Sequence, residues 1–113
     1  MGRGVDMSDI YSIPINSNSP SYKMRTTLGN DEYVFKIDWN ERLSRWMFSL
    51  YDAQDNPLVV GLYLRVNFDL LSRFKINGMP SGMLMLYDAS GSGEECGRNE
   101  LGTRCKLLFR SAV

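Results

Sequence analysis

Apolar and polar residues alternate along most of this chain with the period of two that a half-buried β-strand imposes. The alternation is cleanest between Glu32 and Tyr51. There Tyr33, Phe35, Ile37 and Trp39 share one face, while Val34, Lys36 and Asp38 share the other. A return run places Trp46, Phe48 and Leu50 opposite Met47, Ser49 and Tyr51. The stretch Asn40-Glu41-Arg42-Leu43-Ser44-Arg45 joins the two runs and is polar except for one leucine, so both tryptophans of the chain flank a single short loop. The pattern predicts a β-hairpin whose core face is Tyr33, Phe35, Ile37, Trp46, Phe48 and Leu50.

Other segments extend this reading on both sides. Ile10 to Ile15 is a short first strand that Pro14, lacking a donor, confines to an edge or ends. Tyr22, Met24, Thr26 and Leu28 share a face of a second strand, and Gly29-Asn30-Asp31 turns it into the hairpin. After the turn cluster Asp52 to Pro57, the apolar run Leu58 to Val66 is expected to be the most buried strand, with Gly61 marking a bulge. Phe68, Leu70, Leu71 and Phe74 are spaced for a short helical turn near 67–74, with Asn67 as its cap. Met83 to Asp88 and Arg104 to Phe109 are the last strands, separated by the Gly- and Ser-rich stretch 89–99, read as the longest flexible loop. About seven short antiparallel strands with turn signals between them indicate an all-β fold, a small sandwich or barrel. Residues 1–9 read as a flexible N-terminal tail and residues 10–113 as a single all-β domain.

Composition narrows the function more than it narrows the fold. The 113 residues suffice for one core and carry 13 basic against 13 acidic side chains, which withholds the general phosphate attraction behind most nucleic-acid binding. Nine of the basic residues are arginine, a residue enriched at protein interfaces and also common as surface decoration. No histidine is present, which excludes a histidine base, the usual Ser or Cys triads, and any histidine-bearing metal site. Cys96 and Cys105 are expected to be free thiols, since a bridge needs their Cα atoms within about 7 Å and no export signal accompanies them. No run reaches the about 18 apolar residues of a membrane helix; the expectation is a soluble protein made in the cytoplasm, with no membrane partner.

The polar clusters do not assemble into a catalytic, cofactor-binding or metal site. Glu94 and Glu95 are adjacent, so in extended chain they diverge, unlike a catalytic carboxylate pair. Asp52, Asp55 and Asn56 lack the glycine and bidentate glutamate of a calcium loop and read as turn residues. Gly91-Ser92-Gly93 has no lysine or helix after it and is no phosphate cradle. Tyr33, Phe35, Trp39, Trp46 and Phe48 alternate as core residues do. A free-standing β-barrel that stacks carbohydrate or single-stranded nucleic acid on aromatics is the alternative function.

A series of short signatures nonetheless falls in a recognisable order. A glycine turn precedes a Tyr-x-Phe strand ending in Trp39-Asn40-Glu41-Arg42; Arg45-Trp46 then opens a strand closing in Leu50-Tyr51-Asp52-Ala53. Pro57-Leu58-Val59, Asp69-Leu70-Leu71, the Gly82 to Asp88 strand, Leu101-Gly102-Thr103-Arg104 and Leu108-Phe109 follow. Over residues 29–110 the chain resembles the baseplate plug proteins of contractile-tailed cyanophages and related phages. The resemblance implies a non-enzymatic structural protein of the virion, sited in the tail baseplate and assembled in the host cytoplasm. It implies contacts with baseplate hub and tail tube proteins, and with spike or tape-measure proteins, and closure of the tube lumen before ejection. Several copies in a symmetric assembly are expected. Within this frame the hairpin tip, Trp39, Asn40, Glu41, Arg42, Arg45 and Trp46, is the candidate protein interface, because Arg and Trp dominate interface hot spots. The competing reading pairs Arg42 and Arg45 with Asp38 and Glu41 on an ordinary exposed hairpin.

Overall fold

The computed structural model of the chain describes residues 10–72, 74, 77–80 and 82–111. The segment 1–9, read from sequence as a tail, lies outside them. Seven strands form: β1 (Ile10–Ile13), β2 (Ser21–Leu28), β3 (Asp31–Asn40), β4 (Arg45–Asp52), β5 (Pro57–Tyr63), β6 (Gly82–Asp88) and β7 (Cys105–Ser111). They make two antiparallel sheets, a four-stranded meander β2-β3-β4-β5 and a three-stranded sheet β1-β7-β6. The inner faces of both sheets contribute to one apolar cluster, with Phe35, Ile37, Phe48 and Leu50 from the meander meeting Leu84, Leu86, Leu107 and Phe109 from the smaller sheet. This is a two-layer all-β sandwich.

The hairpin pairs as its alternation requires. Tyr33 stands opposite Asp52, Phe35 opposite Leu50, Ile37 opposite Phe48 and Trp39 opposite Trp46. A register slip of one residue would send the whole apolar set to solvent, so burial of one face fixes the pairing. All six residues of the expected core face are buried, and Phe35, Ile37 and Leu50 are fully enclosed.

The run Leu58 to Val66 departs from expectation. It is not the most buried strand: β5 is an edge strand of the meander, with Val60 63% exposed and Tyr63 40% exposed. An unbroken apolar run looks the same in a central strand as in an edge strand that then changes layer, and here it changes layer. The Leu64 N–H still donates to the Trp46 carbonyl at 2.9 Å, but Val66 already bridges in parallel to Leu86 on β6. The buried end of the run therefore stitches one sheet to the other. Gly61 does mark an irregularity. Its φ of 71° is one that L side chains seldom adopt, its N–H donates to Ser49 Oγ at 3.0 Å, and the β4–β5 register shifts beside it.

Segment 67–74 is not helical among the described residues. Its donors go sideways to β6, from the Asn67 N–H to the Leu86 carbonyl and from the Leu70 N–H to the Leu84 carbonyl, so it follows the strand edge. A local turn closes from the Phe74 N–H to the Leu71 carbonyl at 3.1 Å. Asn67 does not cap it. With φ at 58° its side-chain oxygen accepts from the Asp88 N–H, and Asp69 Oδ1 takes the capping contact to the Leu71 N–H instead. The apolar spacing was a signal of packing against β6, not of helix.

Cys96 and Cys105 are free and buried, and they lie side by side. Burial pushes both thiols up from their ordinary pKa. Protonated and shielded, they are inert packing groups, not nucleophiles.

Candidate functional site

At the end of the meander, β3 and β4 are joined by the four residues Glu41 to Ser44, between the paired Asn40 and Arg45. Asn40 organises this turn: its side-chain oxygen accepts from the Leu43 N–H at 3.0 Å, and its amide nitrogen contacts Met47 Sδ at 3.6 Å. Asparagine suits the place because its short amide reproduces a backbone turn bond. Ser44 completes the reversal with φ at 52°.

The two tryptophans play different parts. Trp46 is 1% exposed; its indole N–H donates to the Gly97 carbonyl at 2.9 Å, and the Arg98 guanidinium lies 5.4 Å from its ring centre. It is a core residue that ties the hairpin to the 89–99 loop. Trp39 packs edge-on against it at 5.3 Å, is only partly buried, and donates its indole N–H to Glu41 Oε1 at 2.8 Å. Of the expected interface residues, then, Trp46 faces inward and supports the tip, while Glu41 and Arg42 stand exposed on it.

The tip arginines do not pair with the nearby carboxylates. Asp38 is taken by Lys36 at 2.7 Å and by the Ser21 hydroxyl at 2.6 Å. Burial pushes the Asp38 carboxyl up, but those two donors outweigh it and hold it below its usual range. Glu41 is engaged by Trp39. Arg42 has no ion-pair partner among the described residues, and Arg45 instead lies over the Tyr63 ring at 4.9 Å.

That stack joins the tip to a second feature that sequence reasoning missed. Arg65 lies over the Phe68 ring at 4.2 Å, and Leu62, Tyr63, Arg65, Phe68, Asp69 and Leu70 line a shallow depression beside β5. Tyr63 and Phe68 remain 40% and 48% exposed. Two arginines stacked on exposed aromatics have the composition of interface hot spots. Arg45 meets Tyr63 only through the β4–β5 pairing, and the turn after β5 then sets Arg65 on Phe68 beside them, so the surface as a whole is not signalled by any one stretch of sequence.

At the opposite end of the pattern the 89–99 loop is anchored, where a flexible loop was expected. The Asp88 side chain is fully enclosed. It accepts from the Ser90 N–H and hydroxyl, the Ser92 hydroxyl and the Gly93 N–H, and it pairs with Arg104 at 3.0 Å. The Ser90 hydroxyl foremost, then the Gly93 and Ser90 N–H groups, hold this carboxyl well below the usual range against the opposing effect of burial. Arg104 also binds Glu100 at 2.9 Å and the carbonyls of Glu94 and Glu95, and Glu100 raises the already high pKa of its guanidinium. Here the adjacent glutamates serve through their backbone, and the Glu95 side chain accepts from the Val66 N–H at 3.4 Å.

Asp52, Asp55 and Asn56 form a turn, with Asp52 Oδ1 accepting from the Gln54 and Asn56 N–H groups. Among the described residues no three acidic or cysteine side chains converge as a metal site would need, and no helix is long and apolar enough to cross a membrane. The polar groups that do converge serve turns and a loop anchor, and the exposed ones form an arginine-aromatic surface. No curated protein matches the chain. The family model described as "Cyanophage baseplate Pam3 plug gp18" matches residues 10–112, so the chain belongs to that baseplate plug family and is a structural protein of a phage tail baseplate.

Proposed function

We propose that this chain is a plug subunit that contacts the baseplate hub and tail tube proteins through its β3–β4 tip and helps close the tube lumen until ejection. It takes its place in several copies in a symmetric assembly that forms in the host cytoplasm, with spike or tape-measure proteins as further neighbours. The observation that carries this reading is the state of the tip: Arg42 is exposed without a carboxylate partner among the described residues, and Arg45 is stacked on an exposed tyrosine. Water alone satisfies an exposed guanidinium, whereas Lys36 and Asp38 on β3 of the same hairpin are paired in place. A subunit waiting for a carboxylate-bearing neighbour leaves them available, and such pairs gain most where the partner excludes water. The alternative of a glycan- or base-stacking barrel is not favoured, since Phe35, Phe48 and Trp46 lie in the core.

Charge reversal tests the contact. Arg42→Glu with Arg45→Glu is expected to leave the thermal melt of the isolated protein within a few degrees of wild type. Surface changes away from packed groups cost little. The same pair is expected to lower the yield of infectious particles by about tenfold or more, as loss of desolvated charge pairs does. Unchanged infectivity would remove the tip from the interface.

A further inference from the structure

The outer faces of the two sheets differ in how their charges are matched. On the meander, cross-strand register places Lys23, Arg25, Glu32, Lys36 and Asp38 outward. These charges are matched in place: Arg25 with Glu32 at 3.5 Å, Lys36 with Asp38 at 2.7 Å, and Lys23 over the Tyr51 ring at 5.9 Å. Val34, Met47, Tyr51 and Tyr63 share that face, so it is mixed, but its charges are satisfied within it. On the smaller sheet, β7 turns Leu107 and Phe109 inward and so turns Lys106, Leu108 and Arg110 outward. Register adds Met85 beside Leu108, Tyr87 beside Lys106, and Met83 and Ile10 on either side of Arg110. The outer face thus carries five apolar side chains in adjoining rows, with Ser12 beside Leu108 and with Ile10 47% and Tyr87 46% exposed.

Two features say what covers it. First, no strand of the described residues lies over this face, and a contiguous apolar patch on a sheet marks an interaction surface. Methionine pairs at such a surface adapt to the shape of a partner. Second, its charges are of one sign. Among the described residues the Lys106 ammonium reaches only the Gly102 carbonyl, at 3.1 Å, and the Arg110 guanidinium has no hydrogen bond or ion pair. Among the described residues no carboxylate shares the face. A two-fold pairing of two copies through it would bring Lys106 and Arg110 against their own images, which like-charge repulsion opposes.

We infer that the outer face of the β1-β7-β6 sheet is a docking surface for a different tail protein, one presenting an apolar patch rimmed by aspartate or glutamate. The inference rests on the baseplate reading and gives that subunit a second contact, on another sheet from the hairpin tip. Arg110 sits between Met83 and Ile10, so a partner carboxylate reaching it is desolvated as the apolar side chains are covered. Desolvation makes the contact selective for an acidic partner.

The test supplies variants to a phage whose own copy of the gene is deleted and measures the protein in purified tails by quantitative mass spectrometry. Lys106→Glu with Arg110→Glu is expected to cut incorporation by about tenfold or more, with the melting curve of the isolated protein little changed. Met85→Thr with Leu108→Thr keeps strand-forming residues and is expected to cut incorporation as well. Lys23→Glu, on the other outer face, is expected to be incorporated like wild type. Incorporation of both double variants at the wild-type level overturns the inference, as does an equal loss with Lys23→Glu. Wild-type self-association that the charge reversal abolishes also overturns it, by assigning the face to a second copy. So does destabilisation on deleting residues 1–9 that the charge reversal reproduces, by assigning the face to the chain's own N-terminus. Absence of the wild-type chain from tails would instead sink the baseplate reading itself.

Discussion

Replacing Trp46 with alanine is expected to destabilise the protein by about 4 kcal/mol, the middle of the range for a large aromatic removed from a core. Three losses combine. The site is 1% exposed, so the cavity has no route to fill with solvent and collapses only in part. The Gly97 carbonyl loses its indole donor and is left in a partly buried place, which adds to the cost. Trp39 loses the ring it packs against at 5.3 Å. Against a typical net stability of about 5–15 kcal/mol, this is the largest effect of any single tip residue. Thermal melts followed by circular dichroism should show a fall of about 15 °C or more. Trp46→Phe should recover part of it, retaining much of the apolar volume but not the donor. Trp39→Ala, at a partly exposed site, should cost less than half as much. A Trp39→Ala loss equal to that of Trp46→Ala would contradict the division into a supporting and a surface tryptophan.

Removing the Asp88 carboxylate is expected to lower the melting temperature by about 10 °C or more. Arg104, whose side chain is 17% exposed, would keep Glu100 but lose its enclosed partner. The N–H groups of Ser90 and Gly93 would also lose their acceptor. A buried pair broken from one side costs more than the pair is worth, because the survivor stays desolvated. Asp88→Ala should therefore be worse than Arg104→Met, which leaves Asp88 its hydroxyl and amide donors.

The same anchor sets the acid response. The folded-state pKa values of Asp88 and Glu100 are depressed, Asp88 mainly by Ser90 and Glu100 mainly by Arg104. Their contribution is thus present above the unfolded carboxylate value of about 4 and is lost as pH falls below it. Melting temperature measured from pH 6 to pH 3 should drop more steeply for wild type than for Asp88→Asn, which has no such proton to bind. Parallel curves would mean that the loop is not held by the ionised carboxylate.

How much of this is legible in the chain follows from the range of each interaction. The hairpin is a local matter: its period of two, its polar turn and its turn-forming Asn40 lie within 20 consecutive residues, and the structure repeats them. Gly61 was readable for a similar reason, since an isolated glycine in an apolar strand signals an irregularity. The burial of β5 was not, because an apolar run does not state on which side of a sheet its strand will lie. Asp88 and Arg104 are 16 positions apart, and only the β6–β7 pairing brings them together. The run Asp88-Ala-Ser-Gly-Ser-Gly did hold a clue: serines and glycines after an aspartate supply the hydroxyl and amide donors of a closed turn as readily as they make a flexible loop. The Arg45–Tyr63 and Arg65–Phe68 stacks had no such clue. They arise where a sheet edge meets a turn, and the outer face of the smaller sheet likewise depends on register among β1, β6 and β7.

As proposed, this sandwich is a baseplate subunit held by neighbours at its hairpin tip. A reconstruction of purified tails tests it most directly. The expected result is density for the seven-stranded sandwich in the baseplate, at the end of the tail tube, with Arg42 and Arg45 against carboxylates of an adjoining chain. Tails whose baseplate contains the chain with its β3–β4 tip in open solvent, or tails that lack the chain altogether, would contradict it.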